Sequence, residues 1–426
     1  MDEINTQAPD VLGISVYIWN NVKVRELLSG VRALLPRCII VLGGPEVSYN
    51  ADQWLQDHPE IDYIVRGPGE AGLRKLLVSN LSLEEKIISV PNPPFQDIPF
   101  PYQDGDFEQF KNRYVYYEAS RGCPYRCSYC LSSRRDQSLE YRDGEMVKTE
   151  LRYLLSKGPG TVKFVDRTFN ADRHFAREIW RFLLENPSQT MFHFEIFPDL
   201  LEEEDFTLLS GVPPGSFQFE IGIQSTNPDT LKEINRPNDW NTVSANIHRL
   251  VGQGNIHIHL DLIAGLPCEG LESFISSFNK VYALGGHYIQ LGFLKILPGT
   301  EMEARKHQYG IEHLKTPPYT VRETRWLSRE NLGILKKVEY ALNYLYNSSR
   351  FSSTLSLLAT QFNSPFEMYL RLADFLNRKD RKRIPRDWPT GARAIMRMVD
   401  QHMPCSASDI LPVSYTHLTL PAKRIV

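Results

Sequence analysis

No stretch of this chain approaches the ~18 consecutive apolar residues that a bilayer span requires. The first ten residues, MDEINTQAPD, are polar and acidic, unlike a secretory leader. The expectation is a cytoplasmic protein with no membrane partner. Cysteine is scarce, six in 426 residues, too few for a disulfide scaffold. Charge of one sign is lacking too, since 48 Lys and Arg against 51 Asp and Glu leave a net −3. That balance argues against bulk attraction to nucleic acid or to a membrane surface. What is present is an ordinary globular composition, 42% hydrophobic and 23% charged, long enough for roughly three domains at ~150 residues each.

Residues 1–90 alternate strand and helix patterns. VLGISVY (Val11–Tyr17), CIIVL (Cys38–Leu42) and IDYIV (Ile61–Val65) read as three strands, with Gly43-Gly44-Pro45 and Gly67-Pro68-Gly69 at the ends of the second and third. Such alternation predicts a parallel sheet whose glycine turns form a ligand edge. With three strands it looks incomplete at its start. Residues 91–113 are proline-rich and aperiodic and read as an ordered linker. From 114 to 310 six further strands alternate with helices: Tyr114–Ala119, Val162–Asp166, Phe192–Phe197, Phe217–Ile223, Ile256–Ile263 and Tyr288–Leu294. With fewer than eight strands, this predicts an open parallel barrel. Residues 311–412 turn helical, with Leu335, Val338, Leu342 and Leu345 at helical spacing. Residues 413–426 are out of keeping with what precedes them and are set apart as a non-native tail.

The remaining cysteines are scattered, but Cys123, Cys127 and Cys130 form a C-x3-C-x2-C run directly after the first barrel strand. Three clustered thiolates suit iron–sulfur or zinc ligation. Structural zinc wants a fourth protein ligand, which is not nearby in sequence. A cluster held by three cysteines leaves one iron open. Alternation within the strands sets Gln218, Glu220, Gly222 and Gln224 against Phe217, Phe219, Ile221 and Ile223. It likewise separates His257, His259 and Asp261, and His193 and Glu195, from their apolar neighbours. The polar sets are expected to line the lumen, because helices cover the other face of a parallel sheet. Polar lumen groups are costly unless paired or serving a ligand. For the histidines, mutual hydrogen bonding is as good a reading as ligand binding.

The cysteine run, with Tyr129 at its aromatic position, resembles the signature of the radical S-adenosylmethionine superfamily. Phe219–Ser225 is similar to that family's fourth-strand segment, Asp261–Pro267 to its fifth and Lys295–Thr300 to the end of its sixth. Asp166–Phe169 (DRTF) stands where many members carry second-strand contacts to the methionine amine. The resemblance implies an α/β fold with a partial (β/α)6 barrel and a [4Fe–4S] cluster held by Cys123, Cys127 and Cys130. It also implies S-adenosylmethionine contacts from Tyr129, Asp166, Glu220, Gln224, Ser225, Asp261, Gly265, Pro267 and Lys295. The implied activity is reductive cleavage of S-adenosylmethionine to give a substrate radical, fed by a ferredoxin or flavodoxin. The substrate itself is not legible.

The preceding sheet resembles, in a truncated form, the Rossmann-like cobalamin-binding domain of the B12-dependent branch. That implies a cobalamin edge near Ser15, Tyr17, Trp19, Gly43 and Gly44, and methyl transfer to an unactivated carbon. The D-x-H-x-x-G motif that supplies an axial histidine elsewhere is absent. The alternatives are radical chemistry without cobalamin, the glycines then serving only tight turns, or a metal-stabilised RNA-binding protein. The helical region resembles a domain of unassigned role. Its basic run, Arg378, Lys379, Arg381, Lys382, Arg383 and Arg386, reads as a solvated loop, with an anionic partner such as RNA as the other reading.

Overall fold

A computed structural model describes residues 1–110, 113–133, 138–236, 238–376 and 388–402. The basic run at 378–386 and the tail at 413–426 lie outside the described residues.

The N-terminal sheet has four parallel strands in sequential order, β1 (Val11–Ser15), β2 (Ile39–Gly43), β3 (Tyr63–Arg66) and β4 (Ile87–Ser89). Three were expected. The fourth is a three-residue edge strand within SLEEKIISVP, too short for its alternation to register. Ile40, Leu42, Val47, Trp54 and Ile64 pack one core against this sheet, and Val41, Val65, Leu76 and Ile88 pack the other. Helices therefore cover both faces, as parallel strands require.

The second sheet has six parallel strands: β5 (Tyr114–Tyr117), β6 (Thr161–Phe164), β7 (Met191–Glu195), β8 (Phe217–Gln224), β9 (His257–Ala264) and β10 (Tyr288–Phe293). Their spatial order is β10-β9-β8-β7-β6-β5. All six expected strands are present, and the sheet stays open between β5 and β10. Its helices begin at marked residues. Asp143, Asp172 and Asp239 accept hydrogen bonds from first-turn amides of Gly144–Lys157, Arg173–Glu185 and Trp240–Gln253. Phe217, Phe219, Ile221 and Ile223 on β8, with Ile258, Leu260 and Leu262 on β9, are buried under those helices.

Both edges of the open sheet are stoppered by side chains. The Tyr102 hydroxyl, from the linker, donates to Tyr116 O (2.6 Å) and accepts from Tyr116 N (3.1 Å) on β5. On β10, Ile289 N donates to Asn347 Oδ1 (3.0 Å) and Ile289 O accepts from Asn347 Nδ2 (2.9 Å), so one amide side chain imitates the next strand. Asn347 follows the helix Arg329–Leu345, whose buried Leu335, Val338, Leu342 and Leu345 are the residues at helical spacing. This region opens with a short antiparallel pair, Glu312–His313 with Val321–Glu323, a departure from the all-helical expectation. Among the described residues no helix is long and apolar enough to cross a membrane.

The first sheet docks on the strand-end face of the second. The Tyr319 hydroxyl donates to Glu46 Oε2 (2.8 Å), which also accepts from Asn21 Nδ2 (2.5 Å). Gly299 lies so close to Tyr49 that a Cβ there would fall 2.1 Å from the ring. Arg121 Nη2 reaches Glu70 Oε1 at 3.0 Å.

Candidate active site

The cysteine loop leaves β5 through Ser120–Arg121, which pairs with Glu140–Tyr141. At Gly122 (φ 100°) a Cβ would sit 2.5 Å from Ser138 O, so only glycine passes. Beyond it the loop is pinned from two sides. Ser128 N donates to Ile234 O (3.0 Å), in the turn after β8, and Ser128 O accepts from Met302 N (2.8 Å), in the helix after β10. The Tyr125 ring stacks on Phe197 at 4.2 Å. Cys127 is buried, while Cys123 and Cys130 are partly exposed. The Cys123 Sγ lies 3.7 Å from Thr168 Oγ1.

Arg236 belongs to this group. Its Nη1 donates to Cys127 Sγ (3.4 Å), its Nη2 donates to Gly222 O (2.6 Å), and its guanidinium lies 4.3 Å from the Phe197 ring centroid. Its Nε is buried without a partner. Among the described residues no three His, Cys, Asp or Glu side chains form a site for a single metal ion. The Cys127 thiol beside a half-buried guanidinium with a spare donor suits an anionic ligand at this loop.

The lumen carries the polar set expected on β6–β9. His193 Nε2 lies 3.0 Å and Lys163 Nζ 3.4 Å from Glu220 Oε2, and Arg167 Nη1 lies 3.6 Å from Glu195 Oε1. His193 draws the Glu220 carboxyl down to about 2 against the opposing effect of burial, with Lys163 adding. Burial pushes Glu195 and Asp261 up, and the charge of Glu220 raises Asp261 further. Burial lowers His257 and His259 to about 4, so both imidazoles are neutral at pH 7. His259 stacks on Tyr288 at 4.6 Å. The histidines thus form a mutual packing chain.

Of the residues read from the motifs, Glu220, Gln224 and Asp261 come together in the lumen and Tyr129 beside Cys127, Cys130 and Arg236. Gln224 adopts φ 70°, and its Oε1 is buried without a partner. Others serve the frame. Asp166 is 1% exposed, and its carboxylate accepts from Ser120 Oγ (2.5 Å) and Ala119 N (3.1 Å), which braces the root of the cysteine loop. Ser225 is wholly buried, and its Oγ donates to Glu269 Oε1 (2.5 Å) behind the strand. Gly265 (φ 96°) admits Val321, which a Cβ would meet at 2.7 Å. Pro267 is buried, and Lys295 is exposed, its backbone bridging Thr320.

At the ends of β1–β3 lies a cleft of about 750 Å³, lined among others by Gly13, Ser15, Tyr17, Gly43, Gly44, Gly67 and Arg121. Tyr17 stacks on Trp19 at 4.4 Å, and Trp19 is 74% exposed. Gly44 (φ 96°) is required by the turn itself, since a Cβ would lie 2.7 Å from Val16 O. At Gly43 the nearest atom would be 3.8 Å away. A wall of glycine backbone fits the close approach of a large flat ligand such as cobalamin. Arg121, which precedes Gly122 and Cys123, links this cleft to the thiol loop.

Sequence reasoning missed Arg236, Phe197 and Glu269. None of them lies in a motif that marks it.

Comparison with known proteins matches residues 1–77 to the B12 binding domain, 117–281 to the radical SAM superfamily, and 307–387 to a protein of unknown function, DUF4080. The chain is 26% identical over 355 residues to the cobalamin-dependent radical SAM methyltransferase TokK of Streptomyces tokunonensis, covering 74% of this chain and 51% of that protein. It is 26% identical over 317 residues to 2-(S-pantetheinyl)-carbapenam-3-carboxylate methyltransferase of Streptantibioticus cattleyicolor, covering 66% and 46%. The chain therefore spans about half the length of these relatives. In fold it resembles the cobalamin-dependent S-adenosylmethionine radical enzyme OxsB, with TM-score 0.64, 15% identity and coverage of 98% of this chain and 71% of that one. It also resembles the radical S-adenosylmethionine methyltransferase TsrM of Kitasatospora setae, with TM-score 0.61, 17% identity and coverage of 75% and 72%.

Proposed function

The chain belongs to the radical SAM superfamily, and from that premise we propose that it cleaves S-adenosylmethionine reductively and, with cobalamin, methylates an unactivated carbon. The observation that carries this reading is the adjacency of two sites. The thiol loop at the mouth of a polar lumen and the glycine-rimmed cleft meet at Arg121.

Cys123, Cys127 and Cys130 hold a [4Fe–4S] cluster in this reading, and the cleft residues Ser15, Tyr17, Trp19, Gly43 and Gly44 flank cobalamin. When bound, the cluster supplies the electron for cleavage and cobalamin supplies the methyl group. The chain's own work is to bind, orient and exclude water. Ionised Glu220, fixed by Lys163 and His193, accepts hydrogen bonds from hydroxyl or ammonium groups of S-adenosylmethionine. Gln224 offers its unpaired Oε1 to the same ligand. Asp261, held toward its neutral form, can donate as well as accept. Tyr129, Gly265 and Pro267 shape the wall, while Asp166 and Ser225 keep the loop and the β8 turn in place. The units are taken as 1–90, 91–113, 114–310 and 311–412, with a ferredoxin or flavodoxin as electron donor. A second reading, radical chemistry over a purely structural first sheet, draws on Gly44, whose own turn accounts for it.

The test is anaerobic reconstitution of the full chain, followed by iron and sulfide analysis and assay of 5′-deoxyadenosine after addition of dithionite and S-adenosylmethionine. Cys127→Ala is expected to lose the iron and Cys268→Ala, on the loop after β9, to retain it. Equal iron in the two variants overturns the cluster assignment. Cobalamin that fails to co-elute with the chain favours the second reading.

A further inference from the structure

A second cavity, of about 830 Å³, adjoins the glycine cleft and has no part in the chemistry above. It lies between the helix Gly69–Val78 of the first sheet, the proline-rich linker and the ends of β5 and β6. We propose that this cavity binds the body of the methyl acceptor, and that the acceptor is a neutral molecule with a large apolar framework. The inference rests on the reading above and adds the substrate class to it.

The walls select for apolar surface. Pro93, Pro99 and Pro101 line the cavity from the linker and have no N–H to offer, and Ile98, Phe100 and Val165 add further carbon. A cavity of this size and character is of the kind that takes a small-molecule ligand. The walls are also fixed by contacts of their own. Phe95 N donates to Glu140 Oε2 (3.1 Å), and the Arg121 and Arg142 guanidiniums each lie 4.9 Å from the Phe95 ring centroid. Phe100 packs edge-on against Tyr102, the cap of β5, and against Tyr153, each at 5.5 Å. A preformed wall spares the ligand the cost of ordering it.

The charges argue for a neutral occupant. Arg142 Nη1 pairs with Glu150 Oε1 (3.1 Å), whose other oxygen accepts from the Tyr117 hydroxyl (2.6 Å), and Arg142 Nη2 donates to Ile98 O (2.7 Å). Arg121 meets both Glu118 oxygens (3.1 and 2.7 Å) and Glu70 Oε1 (3.0 Å). Asp97 and Arg74 are exposed to water. A ligand charge brought inside would lose its hydration and meet groups already engaged with one another, at a net cost.

Position ties the cavity to the chemistry. Glu70 and Arg121 line both this cavity and the glycine cleft, and Arg121 stands two residues before Cys123. Glu118 and Val165, also in its lining, directly follow β5 and β6. An acceptor lying here borders the cleft and the thiol loop together.

The test is equilibrium dialysis of N-phenyl-1-naphthylamine, a neutral apolar probe, against the full chain. The comparison is 8-anilinonaphthalene-1-sulfonate, the same skeleton with a negative charge. Expected are one neutral probe per chain and the sulfonate bound about tenfold more weakly. Ala71→Trp, which sets an indole in the cavity lining, should weaken the neutral probe by about tenfold. Ala71→Leu should fall between, and it carries the comparison if the tryptophan variant does not fold. Hydroxocobalamin should bind alongside the probe, since acceptor and cofactor occupy separate spaces. Equal probe binding in all three chains, or sulfonate held as tightly as the neutral probe, overturns the proposal. So does displacement of the probe by hydroxocobalamin, which would make the cavity an extension of the cobalamin site. A chain that binds the probe as expected yet forms no 5′-deoxyadenosine after reconstitution refutes the underlying reading instead, so the two failures are told apart.

Discussion

Replacing Glu269 by glutamine isolates the effect of one buried charge on the frame of the site. Glu269 is 0% exposed. Its Oε1 accepts from Ser225 Oγ (2.5 Å) and Ser277 Oγ (3.0 Å), while Oε2 is buried without a partner. Burial raises its carboxyl from 4.5 to about 7, and the two hydroxyls only partly oppose that. A shift of that size corresponds to a ceiling of about 3 kcal/mol at ~1.36 kcal/mol per unit. The folded chain holds this proton more tightly than the unfolded chain. The associated stability is therefore complete below pH ~4.5 and is lost as pH rises through about 7. Glutamine stays neutral throughout and keeps both hydrogen bonds at Oε1. Its amide leaves two unpaired donors where the protonated acid leaves one, an offset that is the same at every pH. Between pH 5 and pH 8 Glu269→Gln should therefore gain about 2–3 kcal/mol on the unaltered chain, a relative rise in melting temperature of roughly 5–10 °C for a barrel-sized unit. Asp166, also raised to about 7, is common to both chains and cancels in the difference. Circular dichroism melts at pH 5 and pH 8 measure it. A difference in melting temperature between the two chains that is the same at pH 5 and pH 8 would refute the assignment of a lone buried carboxyl.

Two further outcomes follow from the packing. Gly44→Ala should destabilise the first sheet, since its Cβ would strike Val16 O at 2.7 Å with φ at 96°, whereas Gly43→Ala, with 3.8 Å to spare, should melt like the unaltered chain yet retain less cobalamin on a column. Asn347→Leu should leave Ile289 N and O unpaired at the β10 edge, a loss of about 2–4 kcal/mol, read as amide exchange at Ile289 at least tenfold faster.

The six barrel strands and the three-cysteine loop were legible because their signals are local: alternation over five to eight residues, or cysteines a few residues apart. The fourth strand of the first sheet was not, because three residues carry no period. Arg236 was hidden for a different reason. It meets Cys127 from 109 positions away, and nothing in its own neighbourhood announces a sulfur partner. Asn347 and Tyr102 are similar cases. Each acts on a strand edge formed elsewhere in the chain, so its role exists only once the sheet order is known.

Asp166 and Ser225 show that motif position and side-chain direction are separate questions, and that the second was answerable from the sequence. On β6 the buried residues are Val162 and Phe164, whereas Lys163 reaches Glu220 in the lumen. The two-residue period then carries Asp166 to the covered face and Arg167 to the lumen, where it meets Glu195. On β8, Glu220, Gly222 and Gln224 share one parity, while Ser225 falls with Phe217, Phe219, Ile221 and Ile223 and meets Glu269 and Ser277 behind the sheet. A strand-end motif can thus hold a site together through residues that never face it. Asp166 acts by fixing Ser120 and Ala119, the last backbone before the cysteine loop, and Ser225 by fixing the turn from which Gln224 reaches inward. The open lumen and the rigidity of its rim are therefore encoded on opposite faces of the same strands.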